Sequence, residues 1–436
     1  MSNLELGLWS FPALLVLIFL RIPIALAMLV TGLVGTYLIM GSPTPILSRL
    51  KGETYSTFSS YSLSIIPLFL LMGQFASLGG MSQSLFNAAN SWLGHRKGGV
   101  AMSAIGACAG FGAICGSSLA TAATMAQVAL PELKRYGYSG ALATGTLAAG
   151  GTLGILIPPS GPMILYAVVT NASIGGLFLA GLLPGLMIAL FFAVFSWFQA
   201  NAHGETRAQD WPGFRAVFAA FWKSIWAVLM PPVILGGIYL GIFTAAEAAA
   251  IGAAYALFVA IAIYRNVSLR DLADCTWQTM RTCAMLFMII AAAGMFGHAI
   301  TIIRLPAEVM EAVTALGLSQ TGFILIVMVA IFILGMFLET IAIILITTPI
   351  ILPAMLALDI NPIWYGVMLM INLELALITP PVGMNLYVIK GITGAPLTQI
   401  MRGAAPYVAI LIVGLFIVWS FPQLALWLPQ QSGFGR

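Results

Sequence analysis

The sequence predicts an all-α polytopic membrane protein with about ten transmembrane helices and two re-entrant helical hairpins, arranged as inverted repeats. Three observations carry this. Of 436 residues, 61% are hydrophobic and 7% charged, with a mean hydropathy of +1.04, whereas a soluble domain carries roughly 25% charge. Apolar runs of spanning length recur along the chain. One stretch also occurs twice, because residues 111–161 and 333–383 align without a gap at an offset of 222.

In that alignment Ala120 falls on Ala342, Leu130-Pro131 on Leu352-Pro353, and Leu153 on Leu375. Pro158, Pro159 and Gly161 fall on Pro380, Pro381 and Gly383. Pro and Gly specify backbone geometry rather than side-chain chemistry. A Pro-Pro within an apolar segment frees carbonyls of the preceding turn. At membrane depth such backbone is tolerated only where protein buries it or it lines a cavity. Matching interruptions in two halves point to the binding site of a carrier. The bland alternative is a pair of Pro-kinked helices, but kinks alone do not require the preceding hairpin to be repeated.

The elements follow in order. Residues 4–20, 24–41 and 63–80 are apolar spans, with a polar interfacial helix or loop at 44–62. The N-terminal MSNLELGLWSF lacks a basic region and a cleavage site, so it reads as a retained span rather than a signal peptide. Residues 99–131 are broken at CGSS, 115–118. The arm 118–131 reaches about 21 Å, short of a hydrocarbon core of roughly 30 Å, which suggests a re-entrant hairpin. A broken span at 139–171 and a span at 174–200 follow. The polar linker 201–223 is expected to carry an amphipathic helix. Spans at 224–241 and 244–264, an interfacial stretch at 265–282 and a span at 283–303 come next. The second hairpin covers 321–353 with its tip at Leu338-Glu339-Thr340, before a broken span at 363–391 and a last span at 404–427.

The basic residues orient this layout. If residues 95–97 are cytoplasmic, alternation puts thirteen of the 17 Lys and Arg on that side, leaving Arg49, Lys51, Arg304 and Arg436. Arg96, Lys97, Lys134 and Arg135 flank the first hairpin, while the second has no nearby Lys or Arg. The two repeats are therefore expected to be inverted, with both termini outside. Cys108, Cys115, Cys275 and Cys283 form no CxxC pair and read as packing residues. His95 and His203 fall in loops and His298 is alone in a span, so neither haem nor zinc is expected. HExxH, GxSxG and Walker motifs are absent from the sequence. Arg304 reads as a snorkelling interfacial residue.

The first tip, GAICGSSLATAATM, offers the hydroxyls of Ser117, Ser118, Thr121 and Thr124, with Gly112 and Gly116 allowing close backbone approach. Facing it should be the unwound carbonyls of residues 150–161. Neutral oxygens suit a weakly held sodium ion, and helix N-termini suit an anionic substrate. Ordinary small-residue packing is the alternative, strongest for Thr121 and Thr124. At the second tip Glu339 aligns with Ser117 and Thr340 with Ser118. Asn372, Glu374, Thr379 and the carbonyls near Pro380–Gly383 are expected to face them. Glu339 reads as bracing the hairpin by accepting backbone N–H bonds or as indirect cation support, ahead of direct ligation or proton uptake. Glu374 is either functional or a protonated, packed residue. Glu247 reads as joining two helices outside the repeats.

RIPIAL at 21–26, GSSLATAATM, LPELKRYGYS at 130–139, GGTLGILIPPSGPMILYAVVT at 150–170 and LITPPVGMNLYVI at 377–389 resemble the large membrane subunit of TRAP transporters, the tripartite ATP-independent periplasmic systems. This DctM- and SiaM-like resemblance runs through nearly the whole chain. It implies an ion-transporter-superfamily fold working as an elevator, a symporter in which a transport domain moves against a scaffold. Residues 1–98 and 172–282 would then supply scaffold spans and linker, 99–171 and 283–391 the two transport-domain repeats, and 392–436 the C-terminal span. It further implies sodium-driven uptake, into a bacterium through its inner membrane, of an organic acid of the sialic acid or C4-dicarboxylate class. A soluble periplasmic receptor would deliver the acid, a small four-helix membrane subunit on a separate chain would extend the scaffold, and no organic cofactor is implied. One sodium site would fall at Gly116, Ser117 and Ser118 with Gly154, Ile157 and Pro159. A second would fall at Glu339 and Thr340 with Thr379, Pro381 and Gly383. Substrate would lie between them near Ser160 and Asn385, with Thr121. The competing readings are a stand-alone anion carrier of the same superfamily, a channel, and an intramembrane enzyme or redox subunit, the last lacking any paired His or nucleophile–base motif.

Overall fold

The computed structural model describes residues 3–202, 207–265, 267–315 and 317–434. His203 and Arg436 lie outside them. Every regular element among the described residues is a helix. The first half runs α1 (Asn3–Phe19), α2 (Ile24–Met40), α3 (Pro43–Ser59), α4 (Ile65–Leu78), α5 (Met81–Leu93), α6 (Gly99–Cys115), α7 (Ser118–Arg135), α8 (Gly140–Leu156), α9 (Gly161–Thr170) and α10 (Ile174–Ala202). The second half runs α11 (Phe214–Tyr239), α12 (Ala245–Phe258, continuing as a π-helical turn Val259–Tyr264), α13 (Leu269–Ile302), α14 (Leu305–Ala315), α15 (Gln320–Gly335), α16 (Thr340–Ala357), α17 (Pro362–Leu377), α18 (Met384–Thr393), α19 (Leu397–Ser420) and α20 (Gln423–Gln431).

Among the described residues, seven helices are long and apolar enough to cross a membrane, or eight if α4 and α5, bent by 62°, count as one span. The shorter apolar helices α1, α2 and α17, of 17, 17 and 16 residues, fall below the roughly 20 needed to span unaided. With α4 and α5 taken as one span, seven of the ten expected spans are met and these three are not, while the eighth, α16, is an arm of the expected second hairpin. Three expectations are corrected. Residues 265–282 are not a separate interfacial stretch, because α13 is one helix of 34 residues, about 51 Å long. Among the described residues the linker holds no independent amphipathic helix, since residues 214–223 are the first turns of α11, and no breaker separates them from its apolar part. The arm α7 runs through Pro131 to Arg135 over 18 residues, about 27 Å. Lys134 and Arg135 suit a helix C-terminus, and Arg135 pairs with Glu132 at 3.7 Å. Arm length therefore does not define the first hairpin.

Its direction of packing does. Cys108 and Gly112 on α6 meet Gly150 and Gly154 on α8 in the same chain sense. On α7, Thr121 and Ala122 meet Gly154 and Gly151 in the opposite sense. The arms thus run antiparallel and straddle α8, and glycines let the backbones approach closely.

The repeat reaches further than its sequence signature. Adding 222 to the bounds of α7 gives 340–357, the bounds of α16. The same offset carries α5, α6, α8 and α9 onto α14, α15, α17 and α18 to within two residues. It also lays α1, α2 and α10 over α11, α12 and α19. Contacts are exchanged to match. α2 packs on α13 and α12 on α4; α7 packs on α18 and α16 on α9; α8 packs on α19 and α17 on α10. Reciprocal exchange of this kind is what a twofold relation produces. The signature is confined to the breaks because apolar residues elsewhere interchange freely.

Candidate functional site

The first tip is built around Gly116, which ends α6 in the left-handed region at φ 62°. A side chain there would put its Cβ 2.6 Å from the Pro159 carbonyl oxygen. The carbonyl of Gly116 accepts from Gly161 N at 3.3 Å, seating the tip on the break between α8 and α9. Ser117 caps α7, its Oγ accepting from Ala120 N at 3.4 Å. The Ser117 carbonyl accepts from Thr121 N at 3.0 Å and lies against Gly154. Ile157 is extended at the end of α8 and packs against Gly185 on α10. The structure therefore gathers Gly116, Ser117, Ser118, Gly154, Ile157 and Pro159 around one buried break, joined by a cis Pro158-Pro159 bond.

The second break, also cis at Pro380-Pro381, is open. Pro380 and Pro381 are exposed and Thr379 half-buried, whereas residues 157–160 are all buried. Thr379 donates to the Leu375 carbonyl at 2.6 Å. Gly383 is left-handed at φ 58°, with the carbonyls of Thr379 and Leu377 turned toward its Cα. Glu339 takes the N-cap position of α16 but its side chain caps nothing. Sequence reading had it brace the hairpin by accepting backbone N–H bonds or support a cation indirectly, and the first of these is not seen. Instead the carboxylate makes no hydrogen bond among the described residues and opens onto a cavity.

That cavity, of about 140 Å³, joins the two tips. Gly116–Leu119 and Glu339–Ile341 line it, with Pro159 and Gly161 from one break and Leu377 and Met384 beside the other. Its far wall is Ile66, Phe69 and Leu70 of α4 with Thr282, Met285 and Leu286 of α13. Sequence reading missed this wall, because apolar residues on ordinary spans carry no local signal. Its polar lining is Ser117, Ser118, Thr282, Glu339 and Thr340.

The residues expected at the substrate are enclosed elsewhere. Ser160 accepts from Met163 N at 3.4 Å as the cap of α9. Thr121 lies 3.0 Å from the Cys115 thiol. Asn385 donates to the Ala148 carbonyl at 3.4 Å. All three are 0% exposed and none lines the cavity, and Asn385 Oδ1 is buried without a partner among the described residues. Two further expectations are corrected. Asn372 and Glu374 do not face the second tip: Asn372 donates to the Met328 carbonyl on α15, and Glu374 accepts from Ser118 in the first hairpin. Glu247 joins no helices. It forms a capping box with Thr244 at the start of its own α12, which uses its carboxylate locally. The four cysteines are free and buried, as packing residues are.

Two matched halves with broken helices, whose hairpin tips meet at one cavity, are the architecture of a membrane transporter. The sequence profile described as "Tripartite ATP-independent periplasmic transporter, DctM component" matches residues 11–424, and the chain belongs to that family. It is a transporter permease, not an enzyme. The chain is 40% identical over 402 residues to the C4-dicarboxylate TRAP transporter large permease protein DctM of Pseudomonas aeruginosa, covering 92% of this chain and 94% of that one. It is 30% identical over 421 residues to the sialic acid TRAP transporter large permease protein SiaM of Vibrio cholerae, covering 96% and 98%. The fold resembles the YdaH transporter of Alcanivorax borkumensis, with a TM-score of 0.62 at 15% identity over 100% of both chains.

Proposed function

We propose that this chain is the large membrane subunit of a sodium-coupled TRAP system in the inner membrane of a bacterium, working as an elevator-type symporter with the basic ends of α6 and α7 in the cytoplasm. One observation carries the reading: the tips of both hairpins, re-entrant in this scheme, meet at one cavity with the first helix break and with the residues that flank the second, Leu377 and Met384. The helices of the two hairpins and broken spans form the moving body, and α4 and α13 belong to the scaffold it moves against, which takes residues 283–302 out of the second transport repeat expected from the sequence, since the offset lays α4 over them. Carbonyls of Gly116, Ser117, Ile157 and Pro159, with Ser118 Oγ, hold one sodium ion. Hard oxygen ligands without a fixed charge bind it weakly enough to release it. Glu339 supplies the one carboxylate of the second site, with Thr340 and the carbonyls of Thr379, Pro381 and Gly383.

Substrate enters the cavity only when both ions have ordered the tips, which couples its uptake to the sodium gradient. Its carboxylate meets the N-terminal ends of α7 and α16, where unpaired N–H groups favour an anion. The substrate is an organic acid of the C4-dicarboxylate or sialic acid class, as the names of the relatives suggest. A periplasmic binding protein delivers it, and a small membrane subunit completes the assembly. Labelled-acid uptake into proteoliposomes holding this chain and the small subunit tests the reading. Uptake requiring both the binding protein and an inward sodium gradient is expected. Sodium-driven uptake without the binding protein would instead make the chain a self-sufficient carrier, and ohmic currents would make it a channel.

A further inference from the structure

Glu374 lies within α17 at 0% exposure and forms no ion pair among the described residues. Its Oε1 accepts a 2.7 Å hydrogen bond from Ser118 Oγ, the first residue of α7. Oε2 is enclosed without a partner of bonding geometry. The same Ser118 hydroxyl lies 3.3 Å from the Thr152 carbonyl on α8. The offset of 222 maps Thr152 onto Glu374. Two residues that are twofold mates, and that meet one common side chain, flank the axis relating them. Glu374 therefore stands where the broken helices of the two repeats cross. At that point the repeats differ chemically, with a hydroxyl in one and a carboxyl in the other.

The difference falls on the tips. Ser118 is held from the opposite repeat, whereas the side chain of its mate Thr340 makes no hydrogen bond among the described residues. A buried carboxyl is costly and is retained where it does something. Holding the Ser118 hydroxyl fixes the 117–118 peptide, and with it the direction of the Ser117 carbonyl. Hydrogen bonds to carboxyl groups are among the stronger ones available for such a task. We infer that Glu374 is a positioning residue for the first cation site. From the second repeat it holds Ser118, and so, alongside the Thr121 N–H bond to the Ser117 carbonyl, the tip arrangement that binds the ion, without being a ligand itself. The inference rests on the sodium reading above.

The test compares wild type, Glu374→Gln, Glu374→Ala, Ser118→Ala and the double alanine variant in the proteoliposome assay with small subunit and binding protein. Glu374→Ala is expected to raise the sodium concentration for half-maximal uptake about tenfold while the maximal rate changes little. Glu374→Gln keeps an acceptor for Ser118 and is expected to stay within about threefold of wild type. The double variant is expected to be no worse than Ser118→Ala. A fall in maximal rate with unchanged sodium dependence, or a Gln variant as impaired as Ala, overturns the inference.

A second readout does not depend on sodium coupling. Cys115 sits at the same tip, 8% exposed and on the cavity wall. In a chain whose other three cysteines are replaced, Glu374→Ala should speed alkylation of Cys115 about tenfold. Ser118→Ala breaks the same bond from its other end and should do likewise, even if Glu374→Ala does not fold. An unchanged rate in the folded variants overturns the holding role. Faster alkylation alongside sodium-independent wild-type uptake would instead retire the sodium reading and leave the tip contact standing.

Discussion

The two Pro-Pro breaks share a sequence signature and lie in opposite surroundings. At the first, residues 157–160 are buried. Gly116 seats its hairpin on the break, and Gly185 leaves room for Ile157. At the second, Pro380 and Pro381 are exposed, and the tip above carries Leu338 where the first carries Gly116. Leucine does not adopt the left-handed conformation at little cost. The second tip accordingly opens from a two-residue turn into a four-residue one, 336–339. One backbone device therefore serves as a closed socket in one repeat and an open rim in the other. The cavity lies between a tip hydrogen-bonded to its own break and a tip formed by a longer turn, 336–339.

The sharpest way to break this comparison is a pair of mates under the offset, Ser160→Cys and Val382→Cys. Ser160 is 0% exposed and Val382 half-buried. A small thiol reagent is expected to modify Cys at 382 about a hundredfold faster than at 160, since the buried site reacts only through local opening. Equal rates would make the two breaks equivalent. Next comes Gly116→Ala. A left-handed alanine costs roughly 1–2 kcal/mol before the overlap with Pro159 is counted, so uptake should fall by about tenfold or more. Gly383→Ala meets its nearest atoms, a Leu386 side-chain carbon and the Thr379 carbonyl oxygen, at 3.0 Å, looser than the 2.6 Å approach to Pro159 at Gly116. About a threefold loss is expected there, and the reverse order would contradict the socket-and-rim distinction.

Glu339→Gln removes the charge from the open tip. Half-maximal uptake should then need about tenfold more sodium, whereas Glu247→Gln, on a helix cap at the surface, should leave uptake unchanged. The smallest effect is expected at Tyr407. Its hydroxyl ties α19 to Thr146 on α8 at 2.8 Å and to Ser196 on α10 at 2.6 Å, and its mate by offset is Gly185. Tyr407→Phe should cost about 1–2 kcal/mol and lower the melting temperature by about 2–4 °C. Sodium dependence should stay the same, because this contact ties α19 of the second repeat to α8 and α10 of the first without touching either tip.

The sequence by itself determined the membrane class, the two breaks, the two tips and the offset relating them. Those features are written in residues whose backbone behaviour is largely local: Pro158, Pro159, Gly161 and their mates, with Gly116 at the first tip, favour a break in a helix, although Pro231-Pro232 lies inside α11 without ending it. Intramembrane carboxylates also announce themselves, so Glu339 and Glu374 were singled out before any partner was known. The tertiary structure decided the partners. Glu374 lies 256 residues from the serine it binds. Only the twofold crossing of α8 and α17 puts it on the first tip rather than the second. The cavity wall from α4 and α13, and the enclosure of Ser160, Thr121 and Asn385, likewise depend on which faces of uniformly apolar helices meet. Hydrophobic burial is non-directional, so a stretch apolar all round carries no mark of which side it turns to its neighbour.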